Sequence, residues 1–534
     1  MKPIPEPIKI RLFGKPKSLG IDASKIDCST VSLQSDKYVC FREQTDRFTH
    51  IFVVCGEKYA ELCPLKNLIS CEFAVMNPSL QLIAILGDAN LEVWDLQTET
   101  PKRYFDIANH PVIFYKWIDI NNILILTYQR MLISWNIENY EVKHIFQLKN
   151  SFSNCNISDI LIDNRCEWFL IISPRIKSIK KLSSMMLLYN VHQQKTEVYS
   201  AVTACFLHFK PNANAKPCTL LCFVVRDSFY GWMIHIENLS KHGCSFVKKA
   251  ISFSFSEKRR DDFPVAMQAN DKYGILFVIT SHGYLHVFDV NDSICLYEGM
   301  FTSFPVILLT AYKDSGIVCV NEMGCIVTAV IDEEEIISCL NISLKNKSAV
   351  MKFARRCNLP GAEGLFAWEF WDLCNNGEYY RAAELAAIIH MDTLASARII
   401  EYLHSVKLGK KEPNPVFLYF KRRLENGPLN NMESFKLCKL LLQRERKNFI
   451  RNLMKDDKLC CSEQLGDMLK NYDNILAWSA YLRAGSYSKA IECLAEKYQL
   501  NSAALIGDKN CTKEDYISIF QQIVNNEKAE SSQV

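Results

Sequence analysis

The chain has 534 residues, of which 49% are apolar and 23% charged, with 62 Lys and Arg against 59 Asp and Glu. That length suits two or three domains, and a net charge of +3 supplies neither the basic field of a nucleic-acid binder nor an acidic tail. The opening run Met1-Lys2-Pro3-Ile4-Pro5-Glu6-Pro7 shows no apolar signal segment, and apolar stretches such as Asn122–Tyr128 are far shorter than the roughly 18 residues of a membrane span.

Residues 29–340 read as short strands alternating apolar and polar positions, separated by polar turns. They fall into seven groups of about four: 29–64, 71–106, 112–148, 157–200, 204–253, 264–300 and 305–340. The seventh reads Pro305–Tyr312, Gly316–Asn321, Cys325–Asp332 and Ile336–Leu340. The third strands resemble one another most: LEVWDL (91–96), LISWNI (132–137), MLLYNV (186–191) and LHVFDV (285–290). The aromatic at their fourth place is expected to pack between blades, with the following Asp or Asn leading into the turn. Recurrence at about 40–55 residues is the period of propeller blades, and closing the circle leaves no long unpaired sheet edge. Stacked β-sandwiches are the competing arrangement, and the regular spacing argues against them.

The period changes to a helical one near Asn346, with a break at Pro360-Gly361. Gly377-Glu378-Tyr379-Tyr380-Arg381-Ala382-Ala383-Glu384 resembles Gly485-Ser486-Tyr487-Ser488-Lys489-Ala490-Ile491-Glu492. In each, Gly ends one helix and Ala lets the next lie close, the grammar of helix-pair repeats. Between them Leu394–Val406, Val416–Glu425, Ser434–Gln443, Asn448–Lys455, Ser462–Lys470 and Ile475–Arg483 all have helical length. The expected fold is therefore an all-β seven-bladed β-propeller followed by an α-helical zigzag, an α-solenoid. Its parts are a propeller over 1–332, an acidic linker over 333–350, helices over 351–525 with a last one at Asp515–Asn525, and a disordered tail over 526–534.

A catalytic constellation does not emerge from the sequence. It holds no phosphate-binding loop, no nucleophile elbow, no HExxH and no dinucleotide fingerprint. His282 and His286 sit four apart, but no third ligand stands beside them. The 22 cysteines are scattered, many within apolar strands, which favours buried reduced thiols and a cytosolic protein. The basic runs Lys258-Arg259-Arg260 and Lys410-Lys411 read as solvated loops. No enzyme activity, cofactor or metal is expected. What remains is surface, and clefts between blades suit extended peptides with alternating apolar anchors.

Longer motifs are more specific. Leu19-Gly20-Ile21, Ser35 to Glu43 (SDKYVCFRE), Val75-Met76-Asn77-Pro78, Asp262 to Gln268 (DFPVAMQ) and Gly283 to Asp289 (GYLHVFD) resemble the terminal domain of the clathrin heavy chain family. Asn358 to Glu363 (NLPGAE), Asp457-Lys458-Leu459, Cys461 to Asp467 (CSEQLGD) and Tyr481-Leu482-Arg483-Ala484 are similar to that family's linker and first leg repeats. The likeness runs collinearly from about Ile8 to about Gln499.

The resemblance implies a coat protein whose propeller gathers adaptors and whose leg builds a lattice, in vesicle-mediated transport and endocytosis. It places the protein in the cytoplasm, peripheral on coated pits, the trans-Golgi network and vesicle coats, and reaching membrane only through adaptors. The family's knee, light-chain-binding region and trimerisation hub have no counterpart in these 534 residues. If these 534 residues are the whole product, the reading is of a divergent, short member that does not form a three-legged particle or a cage unaided; a longer reading frame would restore the ordinary heavy-chain role. An assembly-incompetent paralogue, or a scaffold that has left coat function, is the alternative. The family binds short acidic-hydrophobic adaptor peptides between its first two blades. Matched residue by residue, the apolar floor of that groove is Ile83, Ile85 and Trp94, while Asn90 and Glu92 replace a threonine and a glutamine. Glu99 and Pro101 stand where the family has two lysines, and Asn67 where it has an arginine. Lys102 and Arg103 are the nearest positive charges, slightly out of register. A second, central peptide site is altered too, with Cys28 and Ser158 at the expected contacts.

Overall fold

The computed structural model describes residues 6–493, apart from 15–20, 46–48, 56–59, 62–64, 69–70, 88–89, 109, 149–155, 175, 179–180, 212–215, 228–230, 241–245, 256–258, 345, 389–392, 407–412, 488 and 491–492. The helix expected at Asp515–Asn525 and the tail beyond it lie outside the described residues. Two compact units result, Met1–Ala362 and Glu363–Val534.

The first unit contains seven antiparallel sheets of four or five strands, the blades of a propeller. Blade 2, with strands Phe73–Met76, Leu82–Leu86, Asn90–Asp95 and Thr100–Asp106, is typical. Along Asn90–Asp95 every second residue is buried, so the two faces of the strand do different work. Leu91 and Val93 join Tyr115, Trp117 and Trp135 in the core between blades 2 and 3. The third-strand aromatics do pack between blades, each towards the blade before it. Trp135 lies 5.4 Å from Phe105, Tyr189 stacks on Phe146 at 4.0 Å, and Phe288 lies 5.3 Å from Phe253. In each case the partner is a phenylalanine from the outer strand of the preceding blade. The polar residue that follows accepts a backbone N–H from the turn: Asp95 from Gln97 at 2.7 Å, Asn136 from Glu138 at 3.0 Å, Asn190 from Gln193 at 2.8 Å and Asp289 from Asp292 at 2.9 Å. Four residues after each one, Glu99, Tyr140, Gln194 and Ser293 take positive φ, the left-handed step that returns a hairpin.

Blade 7 departs from the expected chain order. Its outer strand is Ile8–Gly14, paired antiparallel to Ile326–Ile331, so the chain's first strand completes its last blade. The run Ile336–Leu340, expected as that strand, is instead part of helix α1 (Ile336–Ser343), with Ile336, Ile337, Cys339 and Leu340 buried. A five-residue apolar run carries no period that separates strand from helix. The stretch expected as an acidic linker, 333–350, thus holds α1 and the start of α2 (Lys347–Cys357).

Of the acidic run before α1, Asp332 and Glu333 are engaged, while Glu334 and Glu335 are exposed. Asp332 pairs with Lys9, and its N–H donates to the Pro7 carbonyl at 3.1 Å. Glu333 accepts from Lys272 at 2.6 Å and from the Tyr273 hydroxyl. At the end of α2, Arg356 pairs with Asp289 of blade 6 and donates to the Tyr273 carbonyl at 2.8 Å. Both side chains are buried.

The second unit contains, among the described residues, α3 (Glu363–Asn375), α4 (Tyr379–Ile388), α5 (Thr393–Ser405), α6 (Pro415–Asn426), α7 (Asn431–Gln443), α8 (Lys447–Lys455), α9 (Glu463–Lys470) and α10 (Asn474–Ala484). Their ends are set by local chemistry. Asn430 and Glu433 form a reciprocal capping box on α7, while Ser462 and Asp473 cap α9 and α10. The two repeats read from sequence behave alike: Gly377 and Gly485 have φ 79° and 75°, and Ala382, Ala383 and Ala490 are fully buried. Leu403, Val416, Ile450, Leu465 and Leu469 lie in one continuous apolar core.

Candidate functional site

The cleft between blades 1 and 2 is built by one strand face. Register pairs Trp94 with Ile83 and Pro101, and Glu92 with Ile85 and Tyr104. Directly paired residues project to the same side of a sheet, so Asn90, Glu92, Trp94, Ile83 and Ile85 share the face turned to blade 1. Ile83 and Ile85 are buried there with Tyr38, Cys40, Ile51 and Val53 of blade 1, and half-buried Trp94 packs over them.

Trp94 is the third-strand aromatic of blade 2, but its setting differs from the other three. Trp135, Tyr189 and Phe288 are 1–5% exposed beneath an outer-strand phenylalanine. The outer strands of blade 1, Ala60–Glu61 and Leu65–Leu68, contain no aromatic residue. Trp94 therefore keeps part of its ring open to solvent while its floor stays dry.

The polar groups around it are already engaged. The indole N–H of Trp94 donates to Glu92 Oε2 at 2.8 Å. Lys102 is held by Asp95, and that hydrogen bond, followed by one from the Gln97 N–H, keeps the Asp95 carboxyl below the usual carboxylate range. Arg103 does not belong to the cleft. A bulge between Pro101 and Arg103 turns its side chain to the opposite face. There it donates to the Ile137 carbonyl at 3.0 Å and stacks on Tyr140 of the next hairpin. Sequence adjacency to Lys102 concealed this, because one extra residue in a strand reverses the side. Asn67 lies in the outer strand Leu65–Leu68 paired with Thr49–Cys55. On the blade 1 side Arg42 donates to the Cys71 and Ser29 carbonyls at 3.0 and 3.4 Å. Sequence reasoning missed Tyr104, 66% exposed and opposite Glu92. The alternation of the outer strand from Pro101 was the available signal, and the bulge obscured it.

Cys28 and Ser158, at the expected central site, are both exposed, and the Ser158 hydroxyl donates to the Ile172 carbonyl at 3.0 Å. Burial pushes the Cys40 and Cys71 thiols beside the cleft up to about 12, which suppresses thiolate chemistry. Among the described residues no group of three His, Cys, Asp or Glu is placed to hold a metal, and no helix is long and apolar enough to cross a membrane. This face therefore presents half-open Trp94 and exposed Tyr104 beside the Glu92 carboxylate, above a buried apolar layer.

Seven blades followed in the chain by helix hairpins define a propeller–solenoid protein. Residues 358–422 match the Clathrin-H-link family. The chain is 31% identical over 523 residues to clathrin heavy chain 2 of Homo sapiens, 30% over 528 to the clathrin heavy chain of Drosophila melanogaster, and 29% over 538 to clathrin heavy chain 1 of Oryza sativa. Each alignment covers 97% of this chain and 31–32% of the relative, so the chain spans about a third of the length of the curated relatives it matches. Over nearly its whole length the chain is similar to clathrin heavy chains.

Proposed function

We propose that this chain is a non-enzymatic structural and adaptor-binding protein of vesicle coats, acting in intracellular protein transport and endocytosis. In this reading it works in the cytoplasm, peripheral on coated pits, the trans-Golgi network and vesicle coats, and reaches membrane through adaptors. The observation that carries the proposal is Trp94, half open above the buried Ile83 and Ile85, at a blade junction where three counterparts are covered by an outer-strand phenylalanine. An extended peptide inserting alternate apolar side chains beside Trp94 completes that packing.

The charges argue for an altered specificity. Glu92 faces the cleft, Lys102 is neutralised by Asp95, and Arg103 faces blade 3. An acidic adaptor peptide meets a carboxylate and no unengaged cation from Thr100–Asp106. Each exposed charge change is worth about 1 kcal/mol or less, chiefly through association rate. The preferred ligand is an apolar segment less acidic than the usual clathrin box.

Fluorescence anisotropy at low salt with an acidic box peptide and its neutralised twin tests this. The neutralised peptide should bind more tightly, and Trp94→Ala should abolish the signal from both. Equal affinity overturns the specificity. The altered charges also motivate a second reading, a scaffold that has left coat function, and failure of both peptides to bind decides for it.

A further inference from the structure

The second unit contains a cavity that the adaptor reading does not use. Helix α6 packs closely along α4 but stands apart from α8. The space left over α7 has a volume of about 470 Å³, within the range of about 300–1,000 Å³ that holds small ligands. Leu437 and Leu441 of α7 line it, with Phe420 and Leu424 from α6 and Phe449 and Leu453 from α8. Phe449 is 48% exposed, so the well presents apolar surface to solvent.

Two lysines and two carboxylates line its rim. Lys421 lies four residues after Phe417 and three before Leu424, on the same face of α6, and is exposed. The Lys458 ammonium donates to the Leu424 carbonyl at 3.1 Å, which holds it at the edge with further protons to give. Arg444 sits over the Phe417 ring at 4.1 Å. Two carboxylates oppose these cations. Glu425 is bound by Arg422 at 2.9 Å, and Asp456 follows the end of α8.

An apolar well whose rim carries two lysines, with Arg444 beside Phe417 and one of its two carboxylates held by Arg422, suits a ligand with one anionic end and a flexible apolar body. We propose that this cavity binds a single long-chain fatty acid, its chain among the leucines and phenylalanines and its carboxylate at Lys421 and Lys458. The site is independent of the propeller cleft, so its failure leaves the adaptor reading untouched.

The test titrates the full chain with palmitate below its self-association limit, using calorimetry, alongside hexadecanol and phosphatidylserine vesicles. Saturable one-to-one binding of palmitate is expected, and the alcohol should bind about tenfold or more weakly. Lys421→Met should weaken palmitate about tenfold while leaving the alcohol unchanged. Phe449→Asp, at a half-exposed position, should abolish both. Leu441→Trp should fill the well and do the same, with thermal melting of both variants as a check on folding. No saturable palmitate binding overturns the proposal, as does palmitate binding that Phe449→Asp leaves intact. Binding to vesicles without binding to free palmitate overturns it too, and assigns the basic rim to a membrane surface instead.

Discussion

Arg356→Met should loosen the end of α2 from the propeller. In the folded protein the guanidinium is sandwiched between Phe209 and Phe353, at 5.6 and 5.5 Å from their ring centres, and pairs with Asp289 while donating to the Tyr273 carbonyl. Gly274, at φ +63°, makes the space, since a Cβ there would overlap the Phe209 ring. The Asp289 side chain is fully buried and that of Arg356 is 8% exposed, so neither charge is solvated in exchange. Methionine conserves much of the stacked volume but leaves the Asp289 carboxylate buried with only the turn N–H groups of Asn291 and Asp292. Breaking a buried pair from one side costs about 3–5 kcal/mol. At roughly 2 °C per kcal/mol for a unit of this size, the melting temperature should fall by about 6–10 °C. Tryptic cleavage at Lys352 and Arg355 should appear earlier. Adding Asp289→Asn to the variant removes the stranded charge and should restore more than half of the loss. A melting shift under about 1 °C, or a double variant as poor as the sum of the singles, refutes the reasoning.

Two further outcomes follow from packing and burial. A Cβ at Gly466 of α9 would overlap the Tyr481 ring of α10, so Gly466→Val should destabilise the helical unit by about 1–3 kcal/mol in chemical denaturation, and an unchanged midpoint contradicts this close approach. Burial pushes the His286 imidazole below its ordinary pKa of 6.5, against the raising influence of Glu298 and Asp262 and with the lowering influence of Arg259. The unfolded chain therefore takes a proton that the folded one resists, and stability falls as pH drops below about 6.5. His286→Phe, stacked parallel to Phe288, removes that loss, so the variant's melting advantage should grow between pH 7.5 and 5.5. A gap independent of pH refutes it.

Much of the architecture was legible because it is written locally. Alternation along LEVWDL, LISWNI, MLLYNV and LHVFDV marks strands, and their Asp and Asn mark the turns they cap. Helix ends at Asn430, Ser462 and Asp473 announce themselves through capping residues. What escaped was non-local or hung on one residue. Ile8–Gly14 gives no sign that its partner lies beyond residue 325, and Ile336–Leu340 is too short to declare a period. At the cleft, Ile83, Ile85, Asn90, Glu92 and Trp94 share a face because the strand register is regular, whereas the bulge after Pro101 sends Arg103 to the other side. Charge counted along a sequence is thus a poor guide to charge delivered to a surface.

The strand that completes blade 7 imposes an order on synthesis. Ile8–Gly14 leaves the ribosome well before its partner Ile326–Ile331, which follows more than 300 residues later. At about 5–20 residues per second, that strand waits for tens of seconds with its backbone unpaired. Blades 2 to 6 draw their four main strands from contiguous stretches, and each can form as it emerges. The ring cannot close until its two ends meet, and this pairing, with the packing of Val31 and Phe41 against Val318 and Val320, is a set of contacts of very high sequence separation that forms late in folding. An alteration at residue 8 is therefore felt at residue 331, and the nascent chain's exposed edge is the point at which a chaperone has most to protect.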